Sequence, residues 1–176
     1  MALPLTRRSF LKFGVAGALA LSLAPWVEGR AGARKRAALD DEDRALVRAL
    51  APALLAGALP ADEPSRTAAL DEILAALEQT LGGLPSAVRA ELDALFALLL
   101  FAPARRWLCG VSEPWMRAAP QQVEAFLNSW QHGRFALQRQ GYQALARLIQ
   151  ACWYGNPRAW TAIGYAGPPM LSAGTK

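Results

Sequence analysis

The residues of this sequence that could carry acid–base chemistry are few, and its single histidine, His132, is the first of them. His132 precedes Gly133 at the predicted end of a helix, where the helix dipole favours a protonated imidazole. No aspartate lies near His132 in the sequence, and no serine stands in the glycine-flanked elbow of a serine hydrolase. We interpret His132 as a helix-capping residue and expect no catalytic residue in this chain.

The acidic run at residues 40–43 is the strongest candidate for a cation site, but it lacks the spaced oxygen ligands and the glycine of a calcium loop. It is typical instead of the first turn of a helix, where carboxylates complement the helix dipole. No glycine-rich phosphate loop follows a strand-like segment, and no Gly-Lys-Ser/Thr motif occurs. We therefore expect this chain to hold neither a metal nor a flavin or nicotinamide cofactor.

A further chemical pattern is the tripeptide Arg105-Arg106-Trp107, which could bind an anionic group or a membrane face. Two arginines that follow a proline are more often solvated charges at the end of a helix. We prefer the second interpretation and keep the first as an alternative.

Two cysteines, Cys109 and Cys152, complete the reactive side chains. There is no Cys-x-x-Cys-His motif for covalent haem and no cysteine cluster for an iron–sulfur or zinc site. In an oxidising compartment the two cysteines could form one disulfide. The alternative, which we favour, is a pair of buried thiols that pack as small apolar groups.

The charge of the chain argues against nucleic-acid binding. Residues 1–33 hold four of the 19 basic residues and one of the 14 acidic ones, which leaves a net charge of +2 on the remainder. That charge is spread over a segment long enough for one domain with its own core, and no lysine-rich stretch is present. We expect no nucleic-acid partner.

Apolar residues recur at helical spacing along the chain, and no segment alternates with a period of two, so the sequence predicts an all-α fold. We expect one small helical bundle of about five helices at 40–165, preceded by a linker at 34–39 and followed by a flexible Gly/Pro/aromatic tail at 166–176. The predicted helices begin at Asp40, at Ser65 and at Pro85 or Ser86, and two more span Gln121–His132 and Arg134–Tyr154. Pro52 is expected to bend or interrupt the first helix. One or two helical turns are expected at 158–163.

The predicted core follows from the same spacing. The third helix is apolar on nearly all sides around Phe96–Phe101, so we expect it to be the central and most buried one. The indole rings of Trp130 and Trp153 lie within helices and are expected in the core. Other predicted core residues are Leu46, Val47, Leu50, Leu54, Leu70, Ile73, Leu74, Leu77, Leu81, Val88, Leu92, Leu95, Leu99, Leu100, Leu137, Leu145, Leu148 and Ile149.

The N-terminal segment 1–33 is typical of a signal peptide for the twin-arginine export route. Behind the arginines, residues 13–24 are apolar but shorter than the ~20 residues that span a bilayer as a helix. Small residues at 31–33 predict a mature chain that begins near Arg34; an uncleaved signal that stays as an anchor is the alternative. We therefore predict a periplasmic location. The export residues are Arg7, Arg8, Phe10, Leu11 and Lys12.

The C-terminal third is rich in aromatic residues and carries a distinctive motif. Residues 153–157 read Trp-Tyr-Gly-Asn-Pro, Trp160 follows, and residues 163–168 read Ile-Gly-Tyr-Ala-Gly-Pro. This pairing resembles the C-terminal signature of the gluconate 2-dehydrogenase subunit 3 family, in which proline is common at the position of Ala166. The similarity extends over roughly 40–169, through residues such as Phe126 and Tyr142.

The resemblance implies a non-catalytic small subunit, exported by the twin-arginine translocase together with a large flavoprotein of the glucose-methanol-choline oxidoreductase type. That partner would hold FAD, oxidise a sugar, sugar acid or alcohol in the periplasm, and pass electrons to a cytochrome. The small subunit would escort and stabilise it. The alternative is a free-standing periplasmic helical chaperone or small-ligand-binding protein. The residues expected at a partner interface are Trp153, Tyr154, Asn156, Pro157, Trp160 and Tyr165.

Overall fold

The computed structural model describes residues 39–162 together with Gly164 and Tyr165. All regular structure in this part of the chain is helical, which confirms the predicted all-α class. The predicted signal peptide, most of the linker and the tail at 166–176 lie outside the described residues. The helices are α1 Asp41–Leu54, α2 Glu63–Gly83, α3 Ser86–Leu100, α4 Ala102–Trp107, a 3-10 helix Trp115–Arg117, α5 Pro120–Gln131, α6 Ala136–Tyr154 and α7 Pro157–Ala162.

The acidic run begins α1 through a reciprocal cap. The backbone N–H of Asp43 donates to the Asp40 carboxylate at 2.8 Å, and the Asp40 N–H donates to the Asp43 carboxylate at 3.3 Å. This capping box satisfies amide groups that the helix start would otherwise leave unpaired. The interpretation of the run as a helix start is confirmed. Leu39, which the sequence assigned to the linker, is buried against the core.

α1 is the central helix of the bundle, since it contacts α2, α3, α5, α6 and the 3-10 helix. Leu46 and Leu50 are completely buried on it. Ala51 is also completely buried, and so small a side chain allows a neighbouring helix to approach closely. Pro52 was expected to bend or interrupt α1; it does not interrupt the helix, which continues through Pro52 and ends two residues later.

The prediction that α3 is the central helix is wrong. Only Phe96, Ala97 and Leu99 are buried on α3, and Val88 in its first turn is 43% exposed. α3 packs mainly on the short α4 and on α1. The most apolar helix of the sequence is therefore not the central helix of the bundle.

α2 and α6 form the most extensive helix pair and run antiparallel. Cys152 near the end of α6 is hydrogen-bonded to Thr80 near the end of α2, whereas Asn156, just beyond α6, bonds Glu72 further back along α2. The predicted apolar stripe of α2 is confirmed, with Leu70 partly covered and the remaining members buried: Ile73, Leu74, Leu77 and Leu81.

The cap of α2 differs from the prediction. Asp62, not Ser65, is the N-cap residue: its carboxylate accepts a hydrogen bond from the Ser65 N–H at 2.9 Å. A hydrogen bond from the Ser65 side chain, together with this backbone bond, holds the pKa of Asp62 below its ordinary value of 3.8. Pro64 lies in the first turn of the helix, where its missing N–H costs no bond. The sequence pattern had placed Pro64 in the preceding loop.

The buried Trp130 connects α5 to two other parts of the bundle. Its indole N–H points at the Leu108 carbonyl at 3.4 Å, and its six-membered ring packs over Gly141 of α6 and near Leu95. The Phe126 ring meets the Trp130 indole edge to face, with ring centroids 4.9 Å apart. Both predicted core indoles, those of Trp130 and Trp153, are buried.

Two further predictions about the C-terminal half need correction. Leu137 was expected in the core but is 67% exposed; it lies in the first turn of α6, and the buried residues of this helix begin only at Gly141. The helix α4 was missed, because Pro103 resembles a helix breaker although it occupies the first turn, where proline is accepted. The short helix expected at 158–163 is confirmed as α7.

None of the described helices is both long and apolar enough to cross a membrane.

Candidate functional site

The described residues do not bring together the side-chain types that bind metal ions. No cluster of three or more histidine, cysteine, aspartate or glutamate side chains in this part of the chain could hold a metal ion. His132 is the C-cap of α5, and its ring Nδ1 lies 3.1 Å from the Asn128 carbonyl oxygen. The predicted capping role of His132 is confirmed.

Both cysteines are free and buried, and the disulfide between them is not formed in this structure. Burial raises the pKa of the Cys109 thiol to about 12, against a smaller opposing effect of the Arg105 charge. Burial also raises the pKa of Cys152, although its hydrogen bond to Thr80 lowers it. Because the thiolate is the reactive form, neither group is poised as a nucleophile.

A polar junction ties the segment after α6 to the middle of α2. The Asn156 side-chain amide donates to the Glu72 carboxylate at 2.5 Å, and its carbonyl oxygen accepts from the Arg158 N–H at 3.0 Å. Arg158 also forms an ion pair with Glu72 at 3.3 Å. Asn156 therefore turns the chain into α7 and attaches that turn to α2.

Beyond this junction the aromatic residues fold back on one another. The Trp160 indole N–H donates to the Tyr154 carbonyl at 2.8 Å, and the Tyr165 N–H donates to the Trp160 carbonyl at 2.9 Å. The Trp160 and Tyr165 rings meet edge to face, with centroids 5.5 Å apart. Gly164 has a φ of +67°, which permits the tight turn between them.

We call this region, formed by Tyr154, Asn156, Pro157, Trp160 and Tyr165, the C-terminal corner. It brings together five of the six residues that the sequence predicted at a partner interface. Tyr154 and Tyr165 are 40% and 48% exposed, and Trp160 is half-buried behind them. Trp153 is the exception: it is 2% exposed and belongs to the core, so its side chain offers no surface to a partner.

The sequence did not predict a groove of about 640 Å³ between α1 and the segment from the 3-10 helix to α5. Its floor is formed by small and apolar side chains, and Arg44 and Arg48 border it. These two arginines are paired with Glu78 and Asp71 on α2, so their charges are compensated. The groove could have been found from one pattern in the sequence. Alanine recurs every four residues on one side of α1, at Ala45, Ala49 and Ala53, and these small side chains line the groove.

Comparison of this chain with protein-family models, with curated proteins and with solved structures finds no match. The motifs of the sequence and the geometry of the described residues therefore carry the functional argument.

Proposed function

We propose that this chain is the non-catalytic small subunit of a periplasmic flavin-dependent dehydrogenase, and that it escorts and stabilises the FAD-loaded large subunit. The observation that carries the proposal is the resemblance of residues 153–168 to the signature of the gluconate 2-dehydrogenase subunit 3 family. The N-terminal pair Arg7 and Arg8 supports export by a route that accepts folded, cofactor-loaded cargo. The large subunit would oxidise a sugar, sugar acid or alcohol and pass electrons to a cytochrome.

The geometry of the C-terminal corner supports its use as a binding surface. Tyrosine side chains combine a large apolar ring with a polar hydroxyl, which suits residues that anchor a protein interface. Tyr154 and Tyr165 present such rings, and hydrogen bonds to Trp160 hold the backbone of both. A surface that is ordered before binding loses less conformational entropy when a partner docks.

The first experiment is a pull-down of the tagged chain from periplasm, with an absorption spectrum of the material that co-purifies. We expect a large partner protein with the absorption bands of oxidised flavin. A colourless chain recovered alone would contradict the proposal.

The double variant Tyr154→Ser with Tyr165→Ser locates the interface. We expect it to lose the flavoprotein with only a small change in melting temperature, because neither side chain is buried in the core. Phe135→Ser is the matched control, since Phe135 is an exposed aromatic residue far along the chain from the corner. Equal loss of the partner in the control would show that the corner is not the interface.

The groove beside α1 favours one alternative, a free-standing protein that binds a small apolar ligand. Its volume of about 640 Å³ lies in the range of small-molecule sites. Ala49→Trp would fill the groove. If a co-purified small molecule is lost from that variant while no flavoprotein is recovered with the wild type, the alternative replaces the subunit proposal.

A further inference from the structure

Exposed apolar side chains are concentrated where α4 ends and α6 begins. Eight large hydrophobic residues are conspicuously exposed in the described part of the chain, and half of them come from these two places. Trp107 is 79% exposed and Leu108 is 46% exposed at the end of α4. Phe135 and Leu137, at the start of α6, are 63% and 67% exposed. Four exposed apolar side chains do not stabilise the folded monomer. Where such side chains lie together, they are typical of a contact surface.

These two places are neighbours in the fold although they are separated in the sequence. The Trp130 indole spans them, with its N–H at the Leu108 carbonyl and its other ring edge on Gly141. Leu137 lies one helical turn before Gly141, on the same side of α6. The contacts of Trp130 thus bring the end of α4 close to the first two turns of α6. We call the four apolar residues, together with Arg106, Arg134 and Arg139, the basic apolar end.

The charge at this end is uniformly positive. Arg106, Arg134 and Arg139 are exposed there, and none of them forms an ion pair with another described residue. No aspartate or glutamate occurs at 94–112 or anywhere after Glu124. Whatever covers the apolar side chains must therefore also accept uncompensated positive charge, so it carries negative charge.

We propose that the basic apolar end docks on an anionic phospholipid surface. Tryptophan and phenylalanine rings enter the boundary between headgroups and acyl chains, and arginines remain at the level of the phosphates. None of the four apolar residues lines the groove described above, which lies beside α1. A lipid surface needs no such concavity, whereas anchor residues of protein interfaces usually fill pockets.

The test measures co-sedimentation of the chain from Arg34 onward with lipid vesicles. This form omits the apolar signal segment and keeps every core residue that the structure describes, from Leu39 to Ala159. Vesicles of phosphatidylcholine with added phosphatidylglycerol are compared with vesicles of phosphatidylcholine alone. We expect binding to the anionic vesicles only, and weaker binding at higher salt.

Two pairs of substitutions test the surface itself. Trp107→Ser with Phe135→Ser should lower the vesicle affinity by at least about tenfold. Arg106→Gln with Arg134→Gln should lower it by roughly 25-fold, since each arginine near an anionic surface contributes about fivefold. Circular dichroism melting curves confirm that each variant is folded.

Met116→Ser and Arg117→Gln are the matched controls, because Met116 is as exposed as Trp107 and Arg117 is an exposed arginine beside it. Both should bind vesicles as the wild type does. Absence of binding by the wild type, or equal losses in the controls, would overturn the proposal. So would vesicle binding that survives the four substitutions while capture of an acidic protein is lost, because the surface would then be a protein interface.

Discussion

At Gly141 the chain has no room for a side chain, because the Trp130 ring packs directly on the backbone of α6. A Cβ placed there would lie 2.6 Å from Cζ3 of the indole. Since Trp130 is 1% exposed and surrounded by core residues, its ring cannot move aside without disturbing its neighbours.

We therefore predict that Gly141→Ala lowers the free energy of unfolding by about 1–3 kcal/mol. Gly82→Ala is the control, because a Cβ at this position of α2 meets no atom within 4 Å. Alanine is the better helix former, so the control should gain about 0.5 kcal/mol. Urea unfolding followed by circular dichroism measures both changes, and equal effects would contradict the close contact.

The buried Cys109 thiol predicts a loss of stability in alkaline solution. Its pKa rises from 9.0 to about 12 on folding, so the folded chain keeps a proton that the unfolded chain releases. The contribution is fully present below pH 9.0 and is lost as the pH rises toward 12. At one pH unit above the ordinary pKa of 9.0, the expected loss in the free energy of unfolding is about 1.4 kcal/mol.

The measurement is the free energy of unfolding across this alkaline range. Cys109→Ala should lose this part of the pH dependence, whereas Cys152→Ala should retain it and remove only the part that comes from the raised pKa of Cys152 itself. A wild-type slope that persists unchanged in Cys109→Ala would assign the alkaline loss to other groups.

At the scale of single helices, α6 changes character along its length. Leu145 in its middle is 1% exposed, whereas Leu137 in its first turn is 67% exposed. We predict that Leu145→Ala costs about 2–5 kcal/mol of unfolding free energy, and that Leu137→Ala changes it by less than about 0.5 kcal/mol.

The pair Leu145→Ala and Leu137→Ala is measured under one set of denaturant conditions, so that each serves as the control for the other. A large cost at Leu137 would mean that the start of α6 is covered in solution. A small cost at Leu145 would mean that α6 is less tightly packed than its burial indicates.

The correct and incorrect predictions of helices have physical reasons. α2, α5 and α6 each carry a one-sided apolar stripe that ends at glycine or near proline, and those local signals were sufficient to find them. The position of α1 at the centre depends on its small residues. A hydrophobicity pattern gives small residues little weight, so it does not predict that this helix is the central one. Whether α1 or α3 is the central helix is decided by how the helices pack against one another. The periodicity of apolar residues contains no information on that packing.

The C-terminal corner shows the same limit. Its aromatic residues and Asn156 were found from a motif, but their support was not. Glu72 accepts a hydrogen bond from Asn156 and forms an ion pair with Arg158, yet it lies 84 residues before Asn156 in the chain. No spacing rule connects residues so far apart. Likewise, Trp153 looked equivalent to its neighbour Tyr154 in the motif. Only the packing of the helices shows that the Trp153 indole lies in the core and that the Tyr154 phenol lies at the surface.

At the scale of the whole molecule, the two proposed surfaces lie at opposite ends of α6. Phe135 precedes this helix and Tyr154 ends it, so about 28 Å of helix separates them at 1.5 Å per residue. A flavoprotein at the C-terminal corner and a lipid surface at the basic apolar end would therefore not compete. In that arrangement the bundle would connect its partner to the membrane.

The proposed escort role predicts that one change in this chain controls the location of two proteins. Arg7→Lys with Arg8→Lys keeps the charge but removes the arginine pair that the translocase reads. We expect both this chain and its flavoprotein to remain in the cytoplasm, because the partner would be exported only as a passenger. Fractionation with an immunoblot for each protein measures the result.

Arg30→Lys is the matched control, since it makes the same exchange within residues 1–33 but outside the motif, and it should leave export of both proteins intact. If the double variant is still exported, residues 6–12 are not the address. If the chain is retained while the flavoprotein reaches the periplasm, the partner has its own route and the escort role is wrong. The two failures are distinct, because the first concerns only this chain and the second concerns only the link between the two proteins.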